Sequence, residues 1–131
     1  MLEHKLSPRF KDTDAMGHIN NASLVTWFEE GRKDIFKMFI PDLDPRKWNL
    51  IIARLEVDYV GQGDYQRDCA IHTHVKKIGN SSFTLYQECY QEERLLAKAI
   101  CFMVHFDYEK QSSVRIPELI RSQLEKHLIV E

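Results

Sequence analysis

A carboxylate, an imidazole and two amides lie close together in the segment DTDAMGHINN, residues 12–21. Asp14 and His18 are four residues apart, and Asn20 and Asn21 come just before an apolar segment with helical periodicity. An Asn at a helix start can cap free N–H groups, and these groups carry about half an elementary positive charge. On local chemistry alone, the simpler interpretation is that Asp14 is a surface acid favoured by the helix dipole and His18 a loop residue. The same groups are also suited to forming a site.

The segment that follows predicts a long helix, from about Ala22 to Phe39. One face collects apolar residues at helical spacing: Leu24, Trp27, Phe28, Gly31, Ile35, Met38 and Phe39. Val25 and Phe36 widen this stripe, so the helix must be covered over most of its circumference. Gly31 costs roughly 1 kcal/mol of helix propensity relative to Ala. Two interpretations stay open for it: close approach by another backbone, such as a strand crossing over the helix, or a glycine that the helix merely tolerates.

The rest of the chain predicts strands and one short helix. The strand-like segments are Leu2–Phe10, Leu50–Val60, Cys69–Ile78, Phe83–Gln91 and Leu95–Tyr108, and the short amphipathic helix is Pro117–Leu128. The run AICFMVHF in the last strand is apolar on both faces, which predicts cover on both sides. Hairpin-connected strands around one very apolar helix indicate an α+β fold, with residues 1–131 as a single domain.

Composition excludes several function classes. A formal net charge of −2 gives no general attraction to nucleic acid or to an anionic membrane. No run approaches the roughly 20 apolar residues of a membrane span, and the N-terminus lacks a signal-like segment, so we expect a cytoplasmic protein. Cys69, Cys89 and Cys101 are predicted core residues rather than disulfide or zinc cysteines. His72 and His74 share a strand face but lack a nearby third ligand, so neither a metal nor a cofactor is predicted.

The segment RFKDTDAMGHINNASLVTWFEEGR resembles the N-terminal signature of the 4-hydroxybenzoyl-CoA thioesterase family, which has the hotdog fold. The matching positions are Phe10, Asp12, Asp14, Gly17, His18, Asn20, Asn21, Glu29, Glu30 and Arg32. A second, weaker match is VKKIGNSSF at Val75–Phe83, which resembles a hairpin of that family. The resemblance covers nearly the whole chain and implies an antiparallel sheet wrapped around one long central helix. The sequence lacks the bulky aromatic residues that aromatic-substrate members carry around Ile19–Ala22.

The resemblance implies hydrolysis of acyl-CoA thioesters to a free acid and CoA. Asp14 matches the family's catalytic aspartate, acting as nucleophile or general base, with His18 and Asn21 beside the reacting carbonyl. Backbone N–H groups near Asn20–Ala22 would polarise that carbonyl. The predicted substrate-binding residues are Gly17, Asn20, Lys76, Lys77, Ser81 and Ser82. The two lysines are candidates for the CoA phosphates, and the Ser pair is interpreted as turn chemistry rather than as a nucleophile.

Two other functions stay open at this point. A hydratase or dehydratase of the same fold would use a D-x-N-P-x-H-like loop, but the spacing from Asp14 to His18 is one residue shorter and the Asn-Pro is missing. A non-catalytic acyl-CoA binding module is the other alternative, and retention of Asp14 argues against it. A sheet around one helix leaves open edges and an apolar face, so we predict a homodimer or homotetramer. The resemblance implies dimers with active sites at the subunit interface.

Overall fold

In the computed structural model, which describes residues 1–129, one curled antiparallel sheet packs against a helical segment. The strands are β1 (Leu2–Leu6), β2 (Leu50–Tyr59), β3 (Cys69–Ile78), β4 (Ser82–Gln91), β5 (Arg94–Asp107) and β6 (Ser112–Ser113). The helices are α1 (Asn21–Gly31), α2 (Lys33–Phe39) and α3 (Glu118–Glu125), and short 3₁₀ turns cover Phe10–Asp12 and Pro45–Lys47. The α+β arrangement predicted from the sequence is confirmed.

The strands lie in the order β1-β3-β4-β5-β2, and the short β6 pairs with β5. The predicted segments for β3, β4 and β5 agree with the structure to within one residue at each end. The first strand is shorter than predicted and ends at Leu6, because Pro8 and the 3₁₀ turn at Phe10–Asp12 follow it. Strand β6 was not predicted, and α3 ends at Glu125 rather than at Leu128.

The prediction of a single long helix from Ala22 to Phe39 is not confirmed, because the helical segment is interrupted at Arg32. Arg32 has φ −89° and ψ 0°, and its N–H donates to the carbonyl of Glu29 over 3.0 Å. This bond spans three residues rather than four, as in a tight helix end. The helix resumes at Lys33 and continues to Phe39. Helical periodicity alone does not show such a break, since the apolar stripe continues through it.

Gly31 lies at the break because strand β3 approaches the helix there. A Cβ atom at this position would lie 2.5 Å from Cγ2 of Ile71 and 3.1 Å from its Cβ, far inside van der Waals contact. The nearest atoms belong to the side chains of Ile71 and Gln87, so the space at Gly31 is closed by strand side chains rather than by close approach of another backbone. The side chain of Ile71 fills the space that any larger residue would need.

Buried side chains from the sheet bond to the backbone at the break. Nε2 of Gln87 donates to the carbonyl of Phe28 (2.9 Å) and to Oγ1 of Thr73 (3.0 Å). Thr73 Oγ1 donates to the carbonyl of Gly31 over 3.0 Å, and Arg32 Nη1 donates to Gln87 Oε1 over 3.0 Å. The break therefore leaves these two carbonyls bonded to strands β3 and β4, at a depth where an unpaired carbonyl would cost about 1–3 kcal/mol.

The core lies between the helices and one face of the sheet. On β5, Ala99, Cys101 and Met103 are buried, whereas Ile100, Phe102 and Val104 on the other face are only half-buried. The expected cover on both faces of this strand is therefore incomplete within one chain. Cys69, Cys89 and Cys101 are buried free thiols, as predicted.

Strand β2 forms one edge of the sheet and contains a bulge. Its register with β5 shifts between Ile52 and Arg54, so the alternation of side chains between the two faces of the sheet changes phase at Ala53. Leu50 is buried before the bulge and Leu55 is half-buried after it, whereas Ala53 is exposed.

Within residues 1–129, no helix is long and apolar enough to cross a membrane.

Replacing Gly31 by Ala tests the close approach of β3. Overpacking costs about 1–3 kcal/mol and better helix propensity returns about 1 kcal/mol, so we expect a net loss of stability of up to about 2 kcal/mol. Urea denaturation measures it. Thr26→Ala, on the exposed face of the same helix, is the control and should leave stability unchanged or slightly raised. Equal stability of Gly31→Ala and the wild-type protein would show that Ile71 on β3 can move aside without a cost in free energy.

Candidate active site

A cavity of about 430 Å³ lies where the loop before α1 meets the end of β2. Its lining comes from the loop, the first turn of α1 and the segment after β2: Asp14, His18, Ile19, Asn20, Asn21, Leu24, Tyr59, Gly61, Gln62 and Gly63. All three residues predicted to be catalytic, together with Asn20, thus line one cavity. The first turn of the helix and the carboxylate are brought together there by the short loop between them.

Asp14 is exposed and organises the loop through one carboxylate oxygen. Its Oδ1 accepts hydrogen bonds from the backbone N–H groups of Met16 (2.8 Å) and His18 (3.1 Å). Its own N–H donates to the carbonyl of His18 over 2.8 Å, and Gly17 adopts the left-handed region with φ +79°. The other oxygen, Oδ2, accepts no hydrogen bond from residues 1–129. One oxygen of Asp14 is therefore held by the loop and the other is available for chemistry.

Asp12 has the opposite environment. It is 3% exposed, its Oδ1 accepts from the Ser23 hydroxyl (2.9 Å), and its Oδ2 accepts from the backbone N–H (2.8 Å) and Nε (3.2 Å) of Arg9. Burial by itself raises the pKa of Asp12, but hydrogen bonds from Arg9 and Ser23 outweigh it and hold that pKa below its ordinary value. The Asp12 carbonyl also accepts from the N–H of Asn20 over 2.6 Å. Asp12 is a structural anchor between the loop and α1.

The backbone N–H groups at the start of α1 differ in their hydrogen bonds. Asn20 is the N-cap, and its Oδ1 accepts from the N–H of Ala22 over 2.8 Å. The N–H groups of Ser23 and Leu24 donate to the carbonyl of Asn20. In the described part of the chain, this leaves the N–H of Asn21 without an acceptor, at the positive end of the helix dipole. The sequence predicted a carbonyl-polarising N–H near Asn20–Ala22. The N–H groups of Asn20 and Ala22 already have acceptors, so the N–H of Asn21 is the remaining candidate.

The remaining predicted residues differ in position. His18 is half-buried and lines the cavity, and its ring accepts or donates no hydrogen bond within residues 1–129. Gly17 shapes the loop but does not line the cavity. Lys76 and Lys77 line another cavity on the sheet face away from α1, beside Ile100 and Phe102.

The Ser81–Ser82 hairpin also lies away from Asp14. The Ser82 carbonyl accepts from the N–H of Gly79 over 2.7 Å, and the Ser81 carbonyl accepts from the N–H of His105 over 2.8 Å. These are turn and strand contacts, in keeping with the interpretation of the Ser pair as turn residues. Within one chain, the structure does not bring this hairpin to the cavity that contains Asp14.

The sequence did not assign the far wall of the cavity. Tyr59 at the end of β2 donates its hydroxyl to the carbonyl of Asn21 over 3.2 Å. Gly63 accepts the N–H of Ile19 through its carbonyl over 3.0 Å, which fixes the Gly-Gln-Gly segment against the loop. Gly61 and Gly63 come directly after the predicted strand Leu50–Val60, where glycines indicate the end of a strand. Their position opposite Asp14 was not recognisable, because it depends on how β2 lies along the helix.

The histidine pair on β3 is paired with acids rather than with each other. Nε2 of His72 lies 2.9 Å from Glu3 Oε2, and Nε2 of His74 lies 3.9 Å from Glu88 Oε1. Across residues 1–129, no three His, Cys, Asp or Glu side chains form a cluster that could hold a metal ion.

Comparisons with known proteins give the family. The family model of the thioesterase-like superfamily matches residues 8–124. The structure of a predicted thioesterase from Bacillus stearothermophilus is 39% identical, with 99% of this chain and 98% of that chain covered and a TM-score of 0.95. A thioesterase from Thermus thermophilus, complexed with coenzyme A and Zn, is 23% identical, with 95% and 91% covered and a TM-score of 0.81.

A curated relative, the uncharacterized protein YsmA of Bacillus subtilis (strain 168), is 31% identical over 83 residues. That match covers 63% of this chain and 56% of the relative, so the chain spans little more than half the length of that protein. The resemblance seen in the sequence and the prediction of a thioester hydrolase are confirmed at the level of the family. Because the family model matches residues 8–124, which is most of the chain, this chain belongs to the thioesterase-like superfamily.

Proposed function

We propose that this chain hydrolyses acyl-CoA thioesters to a free acid and CoA. The observation that carries the proposal is that Asp14 and Asn21 line one cavity, and that Asp14 Oδ2 and the Asn21 N–H have no hydrogen-bond partner among residues 1–129. A carboxylate supplies the nucleophile or general base, and an N–H at a helix start supplies the oxyanion donor. Thioester hydrolysis needs both of these groups.

In the proposed reaction, the thioester carbonyl oxygen accepts a hydrogen bond from the Asn21 N–H. Asp14 Oδ2 then takes a proton from a water that attacks the carbonyl carbon, or attacks that carbon itself to give a mixed anhydride that water cleaves. In either route the C–S bond breaks, the CoA sulfur leaves as a thiolate and takes up a proton, and the acid is released. His18, with its free ring, borders the reacting carbonyl. Asn20 holds the helix start in place.

Membership in the superfamily and the Thermus thermophilus thioesterase complexed with coenzyme A support CoA as the thiol part of the substrate. The family model covers residues 8–124, which supports treating residues 1–131 as one catalytic domain. A cytoplasmic location stays a prediction from the sequence.

A second copy of the chain is part of the proposal. Strand β2 lies at the end of the strand order and carries exposed apolar residues, including Ile52 (46% exposed) and Tyr59 (48% exposed). Such an edge is a template for pairing with another chain. Antiparallel pairing of two β2 strands about a twofold axis would place the Leu50 end of one strand beside the Tyr59 end of the other. The cavity containing Asp14 would then lie at the subunit interface.

A tetramer would cover more apolar surface than this dimer. The outer face of β5, with Ile100, Phe102 and Val104, is half-buried within one chain. Packing two dimers through these faces would bury those side chains. Lys76 and Lys77 border the same face, so in such a tetramer they would lie at the contact between the two dimers, and we keep them as the candidates for the CoA phosphates.

Asp14→Asn should abolish most turnover and leave the fold intact. The Asn Oδ1 can still accept the N–H groups of Met16 and His18, so the loop keeps its shape. Loss of a general base alone costs about 10²–10⁴ in rate, and loss of a nucleophile costs more. The measurement is kcat for thiol release on the best substrate of an acyl-CoA panel, with thermal melts alongside.

Asp12→Asn is the matched control. Its charge is buried against Arg9, so the substitution should lower the melting temperature while reducing kcat much less than Asp14→Asn does. Near-normal kcat in a folded Asp14→Asn protein would contradict the proposed mechanism.

Ile52→Lys should weaken the proposed dimer, because a charge in the middle of an edge strand opposes strand pairing. Light scattering at micromolar concentration should show the wild-type protein as a dimer or tetramer and the variant shifted toward monomer. Its kcat/KM should fall in proportion to the dimer lost. Leu119→Lys on α3 replaces another exposed apolar residue, 74% exposed, and should change neither property. A monomeric wild-type protein with full activity would refute the interface.

Replacing both Lys76 and Lys77 by Glu should raise KM for acyl-CoA several-fold and leave kcat unchanged, because exposed ion pairs contribute only about 0–1 kcal/mol each. Steady-state kinetics on one acyl-CoA measures both constants. An unchanged KM would place the CoA phosphates elsewhere, with Arg94 and Lys98 as the next candidates.

A further inference from the structure

A second cavity, also about 430 Å³, lies between the helices and the start of β2. Its walls include Glu29, Arg32, Phe36, Trp48, Leu50 and Met103. It shares no lining residue with the cavity that contains Asp14. The volume is within the range of small-molecule sites in proteins, about 300–1,000 Å³.

Arg32 is the unusual member of this lining. It is 3% exposed, and its Nη1 donates to the neutral amide oxygen of Gln87. Its Nε is buried and donates to no acceptor, and no carboxylate of residues 1–129 lies within 4.0 Å of the guanidinium. Arginine does not lose its proton in proteins, so the charge persists. A buried charge without an anionic partner is unfavourable, whereas buried charges are normally paired.

The other residues that line the cavity indicate which kind of ligand could pair with Arg32. Phe36, Leu50 and Met103 are apolar, which suits a hydrocarbon body. Glu29 is the single acid in the lining and is exposed. An anion with a small, planar pair of oxygens matches the forked donors of a guanidinium.

We propose that the cavity around Arg32 binds the carboxylate of an apolar carboxylic acid. The carboxylate accepts hydrogen bonds from the guanidinium, and the hydrocarbon part contacts Phe36 and Leu50. Two sources supply this chemistry: a free acid, or the distal carboxylate of an acyl group whose thioester lies in the Asp14 cavity of a partner protomer. The second source rests on the proposed hydrolysis and on pairing of the β2 edges, since that pairing brings the two kinds of cavity together.

Calorimetric titration with hexanoate and with its neutral amide, hexanamide, tests the free-acid source. The two probes have the same hydrocarbon chain, so a difference in affinity reports on the charge. Hydrogen bonds to charged groups are about twice as strong as neutral ones, and we expect hexanoate to bind at least about tenfold more tightly. The acyl source is tested by comparing kcat/KM for adipoyl-CoA, which ends in a carboxylate, with that for hexanoyl-CoA. There too the carboxylate should be favoured at least about tenfold.

The variant Glu29→Gln distinguishes two possibilities: that Arg32 binds the carboxylate of a ligand, or that it pairs with Glu29 of the protein itself. Arg32 itself is bonded to Gln87 at the helix break, so replacing it also perturbs the fold. Glu29 is exposed, and removing its charge beside the cavity should strengthen carboxylate binding by about two- to fivefold. Glu30→Gln is the matched control, because Glu30 is also exposed, lies 3.6 Å from His4 and does not line the cavity. It should leave the affinity for the carboxylate unchanged.

The proposal is supported if the carboxylate is preferred in either the titration or the kinetic comparison, and if Glu29→Gln strengthens that preference. The experiment that shows the preference identifies the ligand as a free acid or as an acyl group. The proposal is overturned if neither arm shows a preference for the carboxylate, or if Glu29→Gln has no effect on it. Absence of turnover with both CoA esters and with every member of the acyl-CoA panel would refute the proposed hydrolysis instead, and it would leave the hexanoate titration as an independent test of the cavity.

Discussion

The hydrogen bonds at the helix break join the helical layer to the sheet. Gln87 uses both ends of its amide, donating to Phe28 and Thr73 and accepting from Arg32, and Thr73 donates to Gly31. A helix that continued through Arg32 without a break would bond these carbonyls internally, so the strands could no longer bond to the helix backbone at this point. The register of α1 over β3 and β4 is therefore specified by directional bonds as well as by apolar packing. Ile71 adds a steric limit at the same point, since it occupies the space beside Gly31.

Fixing α1 at its end also determines where its beginning lies. The helix is continuous over Asn21–Gly31, and its first turn lies at the end of β2, where the Tyr59 hydroxyl donates to the carbonyl of Asn21. Asp12 holds the loop to the same turn through Asn20 and Ser23. The position of the catalytic candidate thus depends on contacts at both ends of the helix. A loop attached only by its own turn would leave Asp14 without a defined position relative to the helix start.

The sequence predicted the element order, the α+β class and most strand bounds, because strand alternation and helical periodicity are local properties. It did not predict the break at Arg32, since the apolar stripe is continuous and the side chains that contact the break lie on β3 and β4, far away in sequence. It also missed the bulge near Ala53, which changes the face that each later residue of β2 presents. Both errors concern contacts between elements that are distant in sequence.

For the site, the motif grouped Asp14, His18 and Asn21, which line one cavity, but the spacing of two residues between Asp12 and Asp14 did not distinguish their roles. The structure distinguishes them by hydrogen bonding. Every oxygen of the Asp12 carboxylate is committed to Arg9 or Ser23, and its pKa is held low, so it is a poor proton acceptor and is shielded from substrate. Asp14 commits one oxygen to backbone N–H groups and keeps the other free. The two acids of this loop therefore have different roles. Buried Asp12 holds the helix start in place, and exposed Asp14 lines the cavity where the helix start can polarise a carbonyl.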